Sequence, residues 1–228
     1  MDASLSVSLS PAPLVPPLSP LEARVLGSLI EKQSSTPDLY PLTLNSLIAA
    51  CNQRSNRDPV LSVAAPEVEA ALAGLRSRKL ATVFAGAEAR VAKHKHTLDL
   101  VFPLEPVARA LLAELLLRGP QTGAALRANA ARLCEMPDAA EIERLLNELA
   151  GRPAGGLVHL LPRQPGQKEA RWAQRLAEET ATTEGATTPL TVALALPPEV
   201  EQRFSALEGE VAALRAELAT LRRALGES

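Results

Sequence analysis

The densest cluster of side chains suited to recognition chemistry is Asn52-Gln53-Arg54-Ser55-Asn56-Arg57-Asp58-Pro59, with two guanidinium groups and three amides in eight residues. Arg54 and Arg57 have the fork geometry that grips phosphate bidentately, and Asn52, Gln53 and Asn56 can meet base edges. The same residues also suit a self-locked turn. Asn and Asp bond their own backbone there, and Asp58 can pair with either arginine. A second cluster is Arg90-Val91-Ala92-Lys93-His94-Lys95-His96. On a strand, Lys93 and Lys95 take one face and His94 and His96 the other, which gives a basic edge for a phosphate backbone. No carboxylate or cysteine stands at ligand spacing from the two histidines, so no metal is expected. Arg76, Arg78 and Lys79 form a third basic group at the end of a helical pattern, although Glu67 and Glu69 stand nearer its start. Acids at that end oppose a DNA-reading role, because a recognition helix presents its N-terminal residues to the groove.

Catalytic chemistry is thinly represented. The chain has three histidines and one tyrosine, and it lacks GxSxG, P-loop, GxGxxG and HExxH patterns. No enzymatic activity and no cofactor are expected. Cys51 and Cys134 form no CxxC pair and suit buried apolar positions in a reducing cytoplasm.

Charge is unevenly distributed over the 228 residues. Residues 19–97 carry ten Lys/Arg against seven Asp/Glu, residues 98–176 ten against nine, and residues 177–228 four against nine. With a formal net charge of -2 the chain is not a strongly basic nucleic-acid binder, so any phosphate contact must come from a local patch. Aromatic residues at 2% argue against a base-stacking platform and against a sandwich of aromatic strands. No apolar run approaches the roughly 18 residues of a membrane span. The first 18 residues are Ser/Pro-rich without a basic start, and read as a disordered leader rather than a signal peptide.

The elements that must position these residues follow from periodicity. Ser19-Pro20-Leu21-Glu22 is a capping box with proline at N1, and Leu21, Val25, Leu26, Leu29 and Ile30 continue it as a helix to about Ser34. Thr43 caps a second helix from Leu44 to about Cys51. A third begins at Pro66 with Val68, Leu72 and Leu75 inward, and two β-like runs follow, Leu80–Ala85 and Ala89–Leu98. The order then repeats. Leu104–Arg118 is a helix, Thr122 caps another to about Leu133, and Asp138-Ala139-Ala140-Glu141 is a second capping box before Ile142, Leu145, Leu146 and Leu149. Leu157–Leu161 and Ala170–Leu176 are strand candidates. In this second copy Arg118, Gln121, Arg127 and Arg132 are expected as exposed polar residues. Its third helix, with Glu141, Glu143, Arg144, Asn147 and Glu148, is acidic and suits dimerisation or protein contact.

Three helices and a hairpin, twice, is the winged helix-turn-helix arrangement. After a Thr/Ala/Glu/Pro-rich linker, Phe204, Leu207, Val211, Leu214, Leu218, Leu221 and Leu225 form a heptad seam with oppositely charged g–e′ pairs, the pattern of a parallel dimeric coiled coil.

The run Pro37-Asp38-Leu39-Tyr40-Pro41-Leu42-Thr43-Leu44-Asn45, continued by Ala50 through Val60, resembles the first signature of the YceH family, a bacterial family of unassigned function. Leu115-Leu116-Leu117-Arg118-Gly119-Pro120-Gln121-Thr122 resembles its second. The resemblance covers roughly residues 19–176. It implies tandem winged-helix domains and a dimer, and supplies no biochemical activity.

The sequence therefore predicts a mainly α protein with small β-hairpins (α+β). The expected parts are a leader over 1–18, winged-helix domains over 19–98 and 99–176, a linker over 177–198 and a coiled-coil helix over 199–226. The expected function is a cytoplasmic, homodimeric regulator binding double-stranded DNA. Arg54, Arg57, Arg76, Arg78, Lys79, Lys93 and Lys95 would meet phosphate, and Asn52, Gln53 and Asn56 would lie near bases. The competing expectation is a protein-interaction adaptor without nucleic-acid binding, its partner docking on the Tyr40–Val60 region.

Overall fold

The computed structural model describes residues 17–84, 91–153 and 155–177. The heptad positions Phe204 to Leu225, the linker, Arg90 and the 86–88 turn lie outside the described residues.

Helix α1 spans Pro20–Ser35. Its capping box forms as the sequence requires: the Ser19 hydroxyl accepts from Glu22 N at 3.2 Å, and the Glu22 carboxylate accepts from Ser19 N at 2.7 Å. Every residue from Glu22 to Glu31 is buried, far more than the single apolar stripe that was expected. The reason is central placement, because α1 packs on α2 (Leu44–Cys51) and α3 (Ala65–Ser77) and also on α5 (Pro106–Arg118). Gly27 allows the close approach to α5. A Cβ there would lie 3.0 Å from Leu116 Cβ and from the Leu117 side chain.

Thr43 caps α2 by accepting from Ser46 N. Pro66 sits in the first turn of α3, one position later than the expected N1, and the Glu67 carboxylate accepts from Ala64 N. After α3, Lys79 takes a left-handed φ of 59°, which stops the helix. The following sheet has order β1-β3-β2, with β1 Leu42–Thr43, β2 Ala81–Phe84 and β3 Lys93–His96, all antiparallel. The two-residue β1 is too short to show a period of two in sequence. The expected second strand is shortened at its end, because Leu98–Val101 forms the short helix α4.

In the second copy α5 ends at Gly119, with φ 70°. Helix α6 (Gly123–Ala130) stops short of the expected Leu133, and Cys134 lies beyond it in a turn. Asp138 caps α7 (Ala139–Ala150), but the reciprocal half of the expected box is absent, since the Glu141 carboxylate binds Arg144 instead. Strands β4 (Val158–Leu160) and β5 (Trp172–Gln174) pair antiparallel.

One apolar core runs through both copies, with Leu26, Leu29, Leu111, Leu112 and Leu115 among its fully buried members. Each such leucine contributes about 1.5–3 kcal/mol of burial. Leu18, placed in the leader from sequence, belongs to this core: it is fully buried, and its N–H donates to Leu176 O at 2.7 Å. Among the described residues no helix is long and apolar enough to cross a membrane.

Candidate functional site

The Asn52–Pro59 loop is held by a buried polar stripe on α1. Arg24, Ser28 and Glu31 recur at spacings of four and three, so they share one helix face, and all are buried. Arg24 donates to Cys51 O at 3.1 Å and to Pro59 O at 2.6 Å. The Cys51 thiol lies 3.8 Å from the Ser28 hydroxyl. Burial pushes that thiol up, so little thiolate forms at neutral pH. At the end of the stripe Glu31 takes two hydrogen bonds from Arg57, whose side chain is fully buried. Arg57 also donates to Ala50 O at 3.1 Å.

This corrects the expectation that Arg57 clamps phosphate. Its guanidinium faces inward and is bonded to a carboxylate and two backbone carbonyls. Asn52 is likewise consumed, since its amide donates to Val63 O at 2.9 Å and accepts from Val63 N at 2.8 Å. Gln53 bonds Lys32 and Ser55, Asn56 accepts from Arg118 at 3.3 Å, and Arg78 donates to Glu22 at 2.7 Å. Of the expected contact residues only Arg57 is buried: Arg54, Arg76 and Lys79 are exposed, and Asn52, Gln53, Asn56, Arg78, Lys93 and Lys95 are half-buried. The alternation on β3 holds, with both lysines outward and both histidines buried. Lys95 stands 5.8 Å over the Phe84 ring.

The histidines and the tyrosine serve as ties. His96 Nε2–H donates to Gln33 Oε1 (2.6 Å) and Nδ1 accepts from Leu98 N at 3.3 Å, which suits the neutral ring with its proton on Nε2. Burial lowers its pKa to about 4. The Tyr40 hydroxyl accepts from His96 N at 2.7 Å, and burial raises its pKa. No three metal-ligating side chains come together among the described residues.

Two further residues complete the cluster, one of which, Glu114, the sequence reading overlooked. Glu114 on α5 is fully buried, and Arg132, after α6, bridges it to Glu31. Arg132 is exposed as expected, and it also cross-links the two copies; Gln121, expected to be exposed with it, is buried. The two carboxylates respond oppositely. Burial raises Glu31, but the hydrogen bond and charge of Arg57, then Arg132 and Lys32, outweigh it and leave the carboxyl below its ordinary value. Burial raises Glu114, the Arg132 and Arg118 charges offset this only in part, and one of its oxygens has no hydrogen-bond partner. The signal for both acids was present in the chain. Glu31 continues the Arg24–Ser28 spacing, and Glu114 is a lone charge between Ala110-Leu111-Leu112-Ala113 and Leu115-Leu116-Leu117.

Two surface cavities flank the cluster. A polar one of about 430 Å³ lies where Asn56–Asp58 meets the α5–α6 turn, with Arg118, Gln121, Asn129 and Arg171 in its wall. A more apolar groove of about 530 Å³ runs between the Leu39–Thr43 segment and α2, lined by Leu39, Pro41, Leu42, Ala49 and Ala50, with Lys32 and Lys93 at its rim.

Residues 18–167 match the model of a family described as "Protein of unknown function, DUF480". The chain is 46% identical over 210 residues to a UPF0502 protein of Burkholderia thailandensis, covering 92% of this chain and 87% of the relative. It is 48% identical over 198 residues to a UPF0502 protein of Geobacter sulfurreducens (86% and 90%). It is 43% identical over 217 residues to one of Vibrio atlanticus (92% and 97%).

Proposed function

We propose, from the premise that this chain belongs to the DUF480 family, that it is a protein-interaction adaptor built on two winged helix-turn-helix units. In this reading the repeated three-helix-and-hairpin order is the winged-helix order, and the groove between Leu39 and Ala50 is the docking site. The observation that carries it is the direction of the charges. The arginine best placed by sequence to grip phosphate, Arg57, is turned inward onto Glu31. The third helix of each copy opens with acids, Glu67 and Glu69 in α3 and Glu141 and Glu143 in α7. Carboxylates there repel a phosphate backbone.

The occupant that fits is a segment of another protein with an apolar side chain for the groove and carboxylates for Lys93 and Lys32. Leu39 is 69% exposed and supplies apolar contact at the groove's edge. The test is capture of a partner by the full chain in high salt after nuclease treatment, compared with Leu39→Asp. Loss of that partner with Leu39→Asp, at an unchanged melting temperature, supports the reading. A partner retained by Leu39→Asp places the docking site elsewhere and overturns it.

A second reading, DNA regulation, keeps one specific observation. Arg54, Arg76, Lys79, Lys93 and Lys95 all belong to the first copy and reach solvent. Fluorescence anisotropy with random duplex across a salt series decides it. Micromolar binding that falls steeply with salt and is lost on Lys93→Glu/Lys95→Glu replaces the adaptor reading.

A further inference from the structure

We propose that the polar cavity between the two copies is a binding site for a small organic anion, a carboxylate or phosphate ester held through its charged group. The proposal is independent of the groove and of the adaptor reading. The cavity encloses about 430 Å³, within the size range of small-molecule sites. Its walls come from both copies, the Asn56–Asp58 turn on one side and the Arg118–Thr122 turn with α6 on the other.

The donors converge on it. Arg118 is half-buried, and its hydrogen bond to a side chain is a single one, to Asn56 Oδ1 at 3.3 Å. That leaves most of its five N–H groups for a planar acceptor. Thr122 uses its hydroxyl oxygen on Ala125 N, which leaves the first N–H groups of α6 at the cavity edge. Gln121 and Asn129 are joined at 2.6 Å, which fixes both amides in the wall. Arg171 and Arg57 are the other cations of the lining, and Arg57 is paired with Glu31. Asp58 is the one acid in the wall, and its charge opposes an anion.

The ligand would bridge residues 62 positions apart, Asn56 and Arg118, and so tie the copies together. Binding to the folded state alone then raises the melting temperature by mass action.

The experiment is calorimetric and thermal titration of the full chain with inorganic phosphate, and in a separate arm with succinate, to about 10 mM. Saturable binding in either arm supports the site, and the stronger arm identifies the anion's chemistry. Arg118→Ala should weaken that binding at least about tenfold, the loss of one charge-assisted bidentate contact. Arg118→Lys, which keeps the charge, should retain part of it and serves as the folded control. Asp58→Asn should tighten it several-fold. Absence of binding by either anion to folded wild type overturns the proposal. So does binding that Arg118→Ala leaves unchanged, because the anion would then sit elsewhere.

Discussion

The two copies of the helix-and-hairpin unit solve the link after their second helix in different ways. In the first, thirteen residues from Asn52 to Ala64 separate α2 from α3, and the loop folds back onto α1. In the second, eight residues from Ala131 to Asp138 separate α6 from α7. The long loop delivers Arg57 to Glu31; the short one delivers Arg132 to Glu31 and Glu114. The same place in the repeat is thus spent on recognition chemistry in appearance and on internal cohesion in fact. An arginine-rich loop declares its chemistry but not its direction, and the direction was set by a carboxylate on another helix.

The sharpest break of this comparison is Glu31→Gln. It removes the charge shared by Arg57 and Arg132 and leaves Arg57 buried and unpaired. Breaking one side of a buried pair costs about 3–5 kcal/mol. Chemical denaturation of the variant should show a loss of that size. A loss below about 1 kcal/mol would mean that water reaches Arg57 and that the loop is not locked.

His96 gives the next effect, confined to the first copy. Its folded pKa of about 4 lies below the ordinary 6.5. Between those values the unfolded chain takes up a proton that the folded chain refuses. The His96 contribution to stability is therefore flat above pH 6.5 and falls by about 1.4 kcal/mol per unit below it, down to about pH 4. Urea melts at pH 7 and pH 5 should differ by roughly 2 kcal/mol more for wild type than for His96→Gln. Equal differences would show that the ring protonates in the fold. Glu31 acts in a lower window. Its carboxyl is held below the usual value, so its contribution is present above about 4.5 and is lost as pH falls through the folded value.

Gly27→Ala tests the seam between the copies. The added Cβ would meet Leu116 Cβ, which is fixed to its own backbone and cannot swing aside. Overpacking of that kind costs about 1–3 kcal/mol. A neutral or stabilising result would show that α1 and α5 can separate freely.

How much of this was legible depended on range. The caps at Ser19, Thr43, Thr122 and Asp138 bind within three residues of themselves, and each sits where sequence placed it. The leucine stripes of α3 and α7 followed for the same reason. Strand β1 escaped because two residues carry no period. The inward turn of Arg57 escaped because its partner is 26 residues away, and the Arg132 link because its partner is on the other copy. The buried stripe of Arg24, Ser28 and Glu31 was the available clue. Polar residues at helical spacing beside an apolar face require partners inside, and the nearest unassigned polar groups were in the loop.

The smallest effect is also the finest test of the cluster. Glu114 shares Arg132 with Glu31, yet burial leaves its carboxyl above the ordinary value and one oxygen without a partner. Between the ordinary and folded values the folded state binds the extra proton, so stability declines as pH rises through that window. In its ionised form the group is a cost that Arg132 only partly offsets. Glu114→Gln removes that charge, while Arg132 keeps Glu31 as its partner. The change in stability should stay within about 1 kcal/mol of wild type, and the decline above pH 4.5 should flatten. A loss as large as that of Glu31→Gln would make the two carboxylates equal members of one network, and the asymmetry between the copies would then lie in their loops alone.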